Sequence, residues 1–349
     1  MNKEKPASAL SYPFAVPARG QTCEVASGVH WIRMPLPFAL NHINLWALDD
    51  GAGWAVVDTG TSSDDNTQVW RELFAQATDP RPITRIFVTH MHPDHVGMAG
   101  WLTRKFRIRL WMTRLEYLNC RVLVSENGRA ASPDDLSFYL QAGWSAPAIE
   151  TSHKAFGVFG KHIHALPDSY RRLQDGEELR IGACNWRVVV GSGHSPEHAC
   201  LYCPELGVLI SGDQVLPRIS SNISVFPSEP DADPMRDWLA SLQKLKREVP
   251  ADVLVLPSHN EPFRGLHARL DQLAADQERT FERLKRVLQQ PRRAVELFEA
   301  LFGRPIGEDN IPLFHMATGE TAACLNHLIY RGEVQRVLDD DGVHRYFLR

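Results

Sequence analysis

The stretch THMHPDHVG, residues 89–97, places His90, His92, Asp94 and His95 within six positions. It closes ITRIFVTH, a β-branched run that predicts a short buried strand. On an extended chain residues i and i+2 face the same way, so His90 and His92 can offer both imidazoles to one cation. Pro93 favours a turn into a helix, which puts Asp94 and His95 in a first helical turn facing elsewhere. Four ligand-type side chains are too many for one tetrahedral ion that must also bind water. Two divalent ions sharing the cluster is the natural reading. Two such ions lower the pKa of a bound water to roughly 7 or below. The resulting hydroxide attacks an electrophilic carbonyl or phosphoryl group, so no serine or cysteine nucleophile is needed.

Further ligands are expected at other strand ends, where loops carry function on a rigid scaffold. His194 ends WRVVVGSGH, Asp213 ends GVLISGD, and His259 ends ADVLVLPSH. With 15 histidines in the chain, any one of them alone says little. Their joint occurrence after so dense a cluster makes His90, His92, Asp94, His95, His194, Asp213 and His259 the expected metal ligands. Mixed imidazole and carboxylate donors suit zinc first, with iron or manganese as alternatives. Asp94 is placed to orient the hydroxide and carry a proton. Asp58 is expected to orient the metal loop by hydrogen bonds, or to serve only as a turn residue. His198, four residues past His194, reads as a supporting strand residue. Arg218 either meets a substrate carboxylate or phosphate or braces its own loop, and Arg264 is equally ambiguous.

HxHxDH at 90–95, GH at 193–194, SGD at 211–213 and the late His259, with VVDTG at 56–60 ahead of them, resemble the metallo-β-lactamase superfamily. The resemblance covers residues 25 to about 265. It implies an αββα sandwich with the metals at one edge of two sheets. It implies that His90, His92 and His194 hold one ion, that Asp94, His95 and His259 hold the other, and that Asp213 bridges them as the second catalytic carboxylate.

The elements that must position these groups are legible in outline. Residues 1–20 read as a loose N-terminal arm. GVHWIRMPLP and NHINLWALDDGAGWAVVDTG read as strands in hairpins, DNTQVWRELFAQA as a helix, HVGMAGWLTRKF as a single helix and RIRLWMT as a strand. Residues 114–170 hold many aromatics and few β-branched runs, and read as a mostly helical insertion, whose aromatics form a cap over an apolar group, a small core of their own or a dimer interface. Strands return at ELRIG, WRVVVGSGH, CLYCP, GVLISGD and VLVLPSH, with a helix PMRDWLASLQKLKRE before the last. An amphipathic helix from Leu266 to Leu288 should end before Pro291. The fold class is therefore α/β, with a catalytic domain over 21–288. Residues 289–349, with the helix from TAACLNHLIY followed by a hairpin around DDDG, resemble a winged helix. Such a tail is similar to that of a glyoxalase-II-like, lactamase-beta-2-like subgroup, in which some relatives cut thioesters and some cut RNA.

At 44% hydrophobic, 23% charged and net charge −4, the chain is neither a general polyanion binder nor a membrane protein. No apolar run approaches the roughly 18–20 residues of a membrane span. Six scattered cysteines and no signal-like N-terminus point to the cytoplasm. Cys200 and Cys203 form a CxxC, but on a strand that offset faces them apart, against a shared metal or disulfide. Residues 291–349 carry seven Arg, no Lys and nine Asp plus Glu, a formal charge of −2, which argues against an RNA-binding tail. A cover for the core, a wall of the site or a homodimer interface is the better expectation. The complete ligand set argues against a non-catalytic binding module. The substrate expected is a small acyl thioester, with a lactone second and an RNA phosphodiester third.

Overall fold

The computed structural model describes residues 10–37, 40–76, 80–154 and 156–349. Four strands open the chain, β1 (Thr22–Ala26), β2 (Val29–Pro35), β3 (His42–Asp49) and β4 (Trp54–Val57). Then come α1 (Asp64–Gln76), β5 (Ile83–Phe87), α2 (Pro93–Val96), α3 (Ala99–Phe106) and β6 (Leu110–Met112). The predicted insertion follows as α4 (Arg114–Ser125), α5 (Pro133–Ala142) and α6 (Ala146–Lys154), closing on β7 (Tyr170–Arg172). A second set comprises β8 (Glu178–Ile181), β9 (Cys184–Gly191), β10 (His198–Cys203), β11 (Val208–Gly212), α7 (Pro234–Glu248) and β12 (Leu254–Pro257). The chain ends in α8 (Leu266–Val287), α9 (Phe298–Phe302), α10 (Ile311–Tyr330), β13 (Val334–Leu338) and β14 (His344–Leu348).

β1 to β7 form one sheet in sequence order, and β12-β11-β10-β9-β8 form a second. Period-two alternation then sorts the core. Trp31, Trp46, Leu48, Val57 and Phe87 from the first sheet meet Trp186, Val188, Leu201, Ile210 and Leu256 from the second in a layer between the sheets. The intervening residues Leu45, Val56 and Ile86 face outward onto Trp70 of α1, Leu102 of α3 and Tyr117 of α4. Val189, Leu209 and Val255 face outward onto α7 and α8. This is the αββα sandwich. It also separates Cys200 from Cys203, which lie in the outer and inner layers respectively, and every cysteine is unpaired. No helix among the described residues is long and apolar enough to cross a membrane.

Three features differ from the sequence reading. The single helix expected after the histidine cluster is broken into α2 and α3, because the Met98 N–H leaves the helical ladder to bond Gly60 O at 3.0 Å. The last long helix begins at Ile311, ten residues before the predicted start, with the Asn310 side chain capping Leu313 N–H. The insertion does not keep its aromatics to a small core of their own. Its Tyr139 and Trp144 are buried in one apolar cluster with Phe298, Phe314 and Leu325 of the tail, and Trp144 Nε1 donates to Thr318 Oγ1 at 2.9 Å. Tyr117 and Tyr170 stack at 3.8 Å beneath the first sheet instead.

Asn44 stitches the two sheets at the rim. Fully buried on β3, it accepts from Trp31 Nε1 at 2.8 Å and donates to Pro257 O at 2.8 Å and Asn260 O at 2.7 Å. Asn44→Ala strands these buried partners and is expected to cost about 2–4 kcal/mol in urea unfolding of the metal-loaded protein. A loss below about 0.5 kcal/mol would contradict the stitch.

Candidate metal centre

Each cluster residue sits where an element ends. Asp58 follows β4 with a left-handed φ of 63°. That turn aims its buried carboxylate at the next strand's loop, where Oδ1 accepts the Thr89 N–H at 2.8 Å and Oδ2 lies 2.8 Å from His95 Nδ1. The Thr89 hydroxyl bonds the same carboxylate at 2.9 Å. Past β5 the chain bends through residues 89–92 rather than running straight, and from an extended His92 (φ −61°, ψ 146°) it enters α2 at Pro93, where the sequence predicts a helix. A residue that sequence reasoning missed holds this loop from the other side. Glu116, in the first turn of α4 and fully buried, accepts the N–H of Met91 at 2.9 Å and of Glu197 at 2.8 Å. It ties the His90–His92 loop to the loop carrying His194. In the sequence it is indistinguishable from an ordinary acidic residue near a helix start.

All seven expected ligands meet at one rim of the sandwich. His90 Nε2 lies 2.9 Å from His92 Nδ1 and 3.2 Å from His194 Nε2. His259 Nε2 lies 3.4 Å from Asp94 Oδ2, and His95 Nε2 lies 3.6 Å from the same oxygen. Asp213 stands between the two groups. Its Oδ2 is 3.5 Å from both His95 Nε2 and His194 Nε2, and its Oδ1 is 3.5 Å from His259 Nε2. The donor atoms of His90, His92 and His194, of Asp94, His95 and His259, and of His90, His95 and Asp213 each converge closely enough to ligate one ion.

The outer nitrogens are already engaged. His194 Nδ1 donates to Asn222 O at 2.7 Å, and His259 Nδ1 donates to His42 O at 3.0 Å, which turns both Nε2 atoms inward. His95 Nε2 and Asp213 Oδ1 are buried with no hydrogen-bond partner. Buried polar atoms rarely stay orphaned, and here they converge among ligand atoms, so the residues fit divalent ions.

The electrostatics agree. Burial favours neutral imidazoles and, with neighbouring histidines, holds His90 well below the usual range and pushes His92 down to about 3. Burial opposes a charged His259 too, but Asp213 and Asp94 overcome it and push its pKa up to about 10. His95 is raised well above its ordinary value by Asp94 and Asp58, against the same burial. Burial would raise Asp213, yet His259 and His95 hold it well below the usual carboxylate range. Protons on two imidazoles thus balance the carboxylates, a role that metal ions can take over.

Of the supporting candidates, His198 is buried and accepts the Asp213 N–H at 3.0 Å. Gly212 makes room for it: at φ 52° its hydrogen faces the His198 ring, and a Cβ there would lie 2.4 Å from ring atoms. Arg218 does not enter the cluster. Its Nε and Nη2 bond Glu261 at 3.0 and 3.2 Å, and its guanidinium lies 4.2 Å over Tyr12. Arg264 donates to Asp252 O at 2.6 Å. Three further supports gave no sequence signal. His42 carries the carbonyl that holds His259. Arg269 of α8 pins the 214–219 stretch through Leu216 O and Ile219 O. The tail helix α10 grips the stretch that carries Asn222: Glu320 accepts from Asn222 Nδ2 at 2.9 Å, and Gly319 O accepts the Val225 N–H at 3.0 Å.

The sequence model described as "Metallo-beta-lactamase superfamily" matches residues 40–259. The chain belongs to the metallo-β-lactamase superfamily. A second model, "Metallo-beta-lactamase-like, C-terminal domain", matches residues 281–349. The crystal structure of a beta-lactamase domain protein from Burkholderia ambifaria is similar with a TM-score of 0.89 and 41% identity, over 97% of this chain and 98% of that one. A linear primary-alkylsulfatase of Pseudomonas sp. is 28% identical over 61% of this chain, which spans 40% of that protein's length. An acyl-coenzyme A thioesterase of Gallus gallus is 25% identical over 72% of this chain and 84% of its own length. The superfamily is hydrolytic and metal-dependent.

Asp58→Ala removes the acceptor behind His95 and is expected to weaken metal binding about 10- to 100-fold in a competitive chelator titration. Affinity equal to the parent's would contradict the orienting role. Raised pKa values on His95 and His259 mean that protons must leave as metal enters. Binding at pH 7 should therefore release protons, seen as a dependence of calorimetric heat on buffer ionisation enthalpy, and affinity should fall as pH falls. Proton-neutral binding at pH 7 would contradict this.

Proposed function

We propose that the chain is a two-metal hydrolase of a small acyl thioester. The observation that carries this reading is the buried convergence of a three-imidazole group and an imidazole-carboxylate group on Asp213, with His95 Nε2 and Asp213 Oδ1 forming no hydrogen bond. His90, His92 and His194 would hold one divalent ion, Asp94, His95 and His259 the other, and Asp213 both. Zinc suits these donors first, with iron or manganese next. When bound, such ions supply the positive charge that acidifies water and polarises a scissile carbonyl.

The protein's own groups do the rest. Asp94 is the more open of the two carboxylates, its side chain 21% exposed against 10% for Asp213. His95 and His259 overcome burial to hold Asp94 below the usual carboxylate range, so at neutral pH it is ionised, the form that can orient the attacking water and receive its proton. A thiol has an ordinary pKa near 8.5, so a thiolate departs without a strong acid beside it. That suits a rim whose carboxylates are both ionised. The acyl-coenzyme A thioesterase relative supports the same bond. A sulfate ester is the second reading, favoured by the alkylsulfatase relative, and a lactone the third.

The helix-and-hairpin tail, with its formal charge of −2, suits a brace for the metal rim better than a nucleic-acid surface. The six unpaired cysteines of the whole chain suit the cytoplasm.

With metal content measured, a panel of acyl thioesters, lactones, alkyl sulfates and phosphodiesters is expected to show highest kcat/KM on a thioester. Turnover confined to sulfate esters or phosphodiesters would overturn the assignment. Asp94→Asn should lower kcat about 100- to 10,000-fold, and a loss below tenfold would remove Asp94 from proton transfer.

A further inference from the structure

A cavity of about 300 Å³ opens beside the metal rim, lined by Arg33, His42, Arg218, Asn260 and Glu261 among others. It shares a wall with the centre, because His42 O holds His259 and residues 260–261 continue the same loop. Most of its polar groups are spoken for. His42 uses both ring nitrogens: Nδ1 lies 2.8 Å from Asn41 Oδ1, and Nε2 accepts the Asn260 N–H at 2.9 Å. Arg218 and Glu261 neutralise each other.

Arg33 is the exception. It stands opposite Asn44 in the β2–β3 register, on the face that carries Trp31 and Trp46 toward the second sheet. The two tryptophans fill the layer between the sheets, and Arg33 emerges where that layer opens at the rim. Its side chain makes no hydrogen bond or ion pair among the described residues, although it is only partly exposed. Burial weakens its charged form, opposed by the more distant Glu261. A guanidinium carries five donors in a planar fork, and leaving them unmatched in a half-closed cavity is costly. Asn260, on the same cavity, has a buried side-chain oxygen with no partner. The cavity therefore holds one uncompensated positive charge and one free amide beside the reaction centre.

We propose that this cavity is an anion subsite, in which Arg33 and the Asn260 amide take a carboxylate or phosphate borne by the substrate. A fork of this shape matches either oxyanion bidentately. The hydrogens of the Asn260 NH2 can donate to the same oxyanion. The sequence candidate for this role was Arg218. The structure shifts the role to Arg33, because Arg218 already has its carboxylate. The subsite deepens the thioester reading and borrows its probes from it.

The test compares kcat/KM of the metal-loaded parent, Arg33→Ala and Arg33→Lys on three thioesters. Acetyl N-acetylcysteamine is neutral, succinyl N-acetylcysteamine puts a carboxylate on the acyl side, and acetyl phosphopantetheine puts a phosphate on the leaving side. Arg33→Ala should lower the anionic-to-neutral ratio about 10- to 100-fold for one anionic substrate, with Arg33→Lys in between. Which substrate loses preference identifies the anion. Equal losses on all three, or none, would overturn the subsite. Should the parent cleave no thioester, the functional reading fails but the subsite is still tested. Succinate titrated calorimetrically into metal-loaded parent and Arg33→Ala should then bind the parent about tenfold more tightly or better. Equal affinity would overturn it.

Discussion

Five imidazoles and two carboxylates share one buried corner, and two of their polar atoms form no hydrogen bond there. His95 Nε2 and Asp213 Oδ1 are the visible remainder. Unpaired polar atoms in a dry site are costly, and like charges held there more so. Two imidazoles answer by keeping protons that an exposed histidine would lose near neutrality, and two carboxylates stay ionised against their burial. A cation in each half of the cluster resolves the same conflict with a stronger charge. The surrounding structure reads as the apparatus that keeps this unfavourable assembly in place.

That apparatus comes from every layer. Asp58, at the end of β4, fixes the first loop through Thr89 and His95, and Glu116 on α4 locks that loop to the one bearing His194. Asn44 and His42 on β3 hold the loop of His259 from the facing sheet. The tail contributes too. α10 grips residues 222–225, and Asn222 O sets the ring of His194. Gly319 allows that approach, since a Cβ there would lie 2.9 Å from Ser224 side-chain atoms and the Val225 carbonyl. One apolar cluster runs from the second sheet through α7 and α8 into the tail and the insertion, so the grip is rigid rather than incidental.

What the sequence revealed follows from the range of the interactions. The His90–His95 cluster is local, and His194, Asp213 and His259 each follow an apolar strand, so the strand pattern marks each as a strand-end residue where ligands are expected. The period-two patterns give the strands, while the sandwich came from the resemblance that the motifs carry. Glu116, Asn44, His42 and Arg33 were illegible for the opposite reason. Each is a single polar residue in an ordinary strand or helix, and its role comes from a partner far along the chain. The split of α2 from α3 depends on Gly60 O, and the docking of Trp144 depends on Thr318, both tertiary contacts. The aromatics of the insertion left a cap and a separate core both open, because composition reports burial without saying against what.

The claim on which everything else rests is that two ions share Asp213. Elemental analysis after metal reconstitution and removal of excess metal measures it directly, on the parent and on Asp213→Ala, with circular dichroism to establish that both are folded. The account expects two ions per parent chain and at most one per folded Asp213→Ala chain. A parent saturating at one ion, or a variant that retains two, would contradict it.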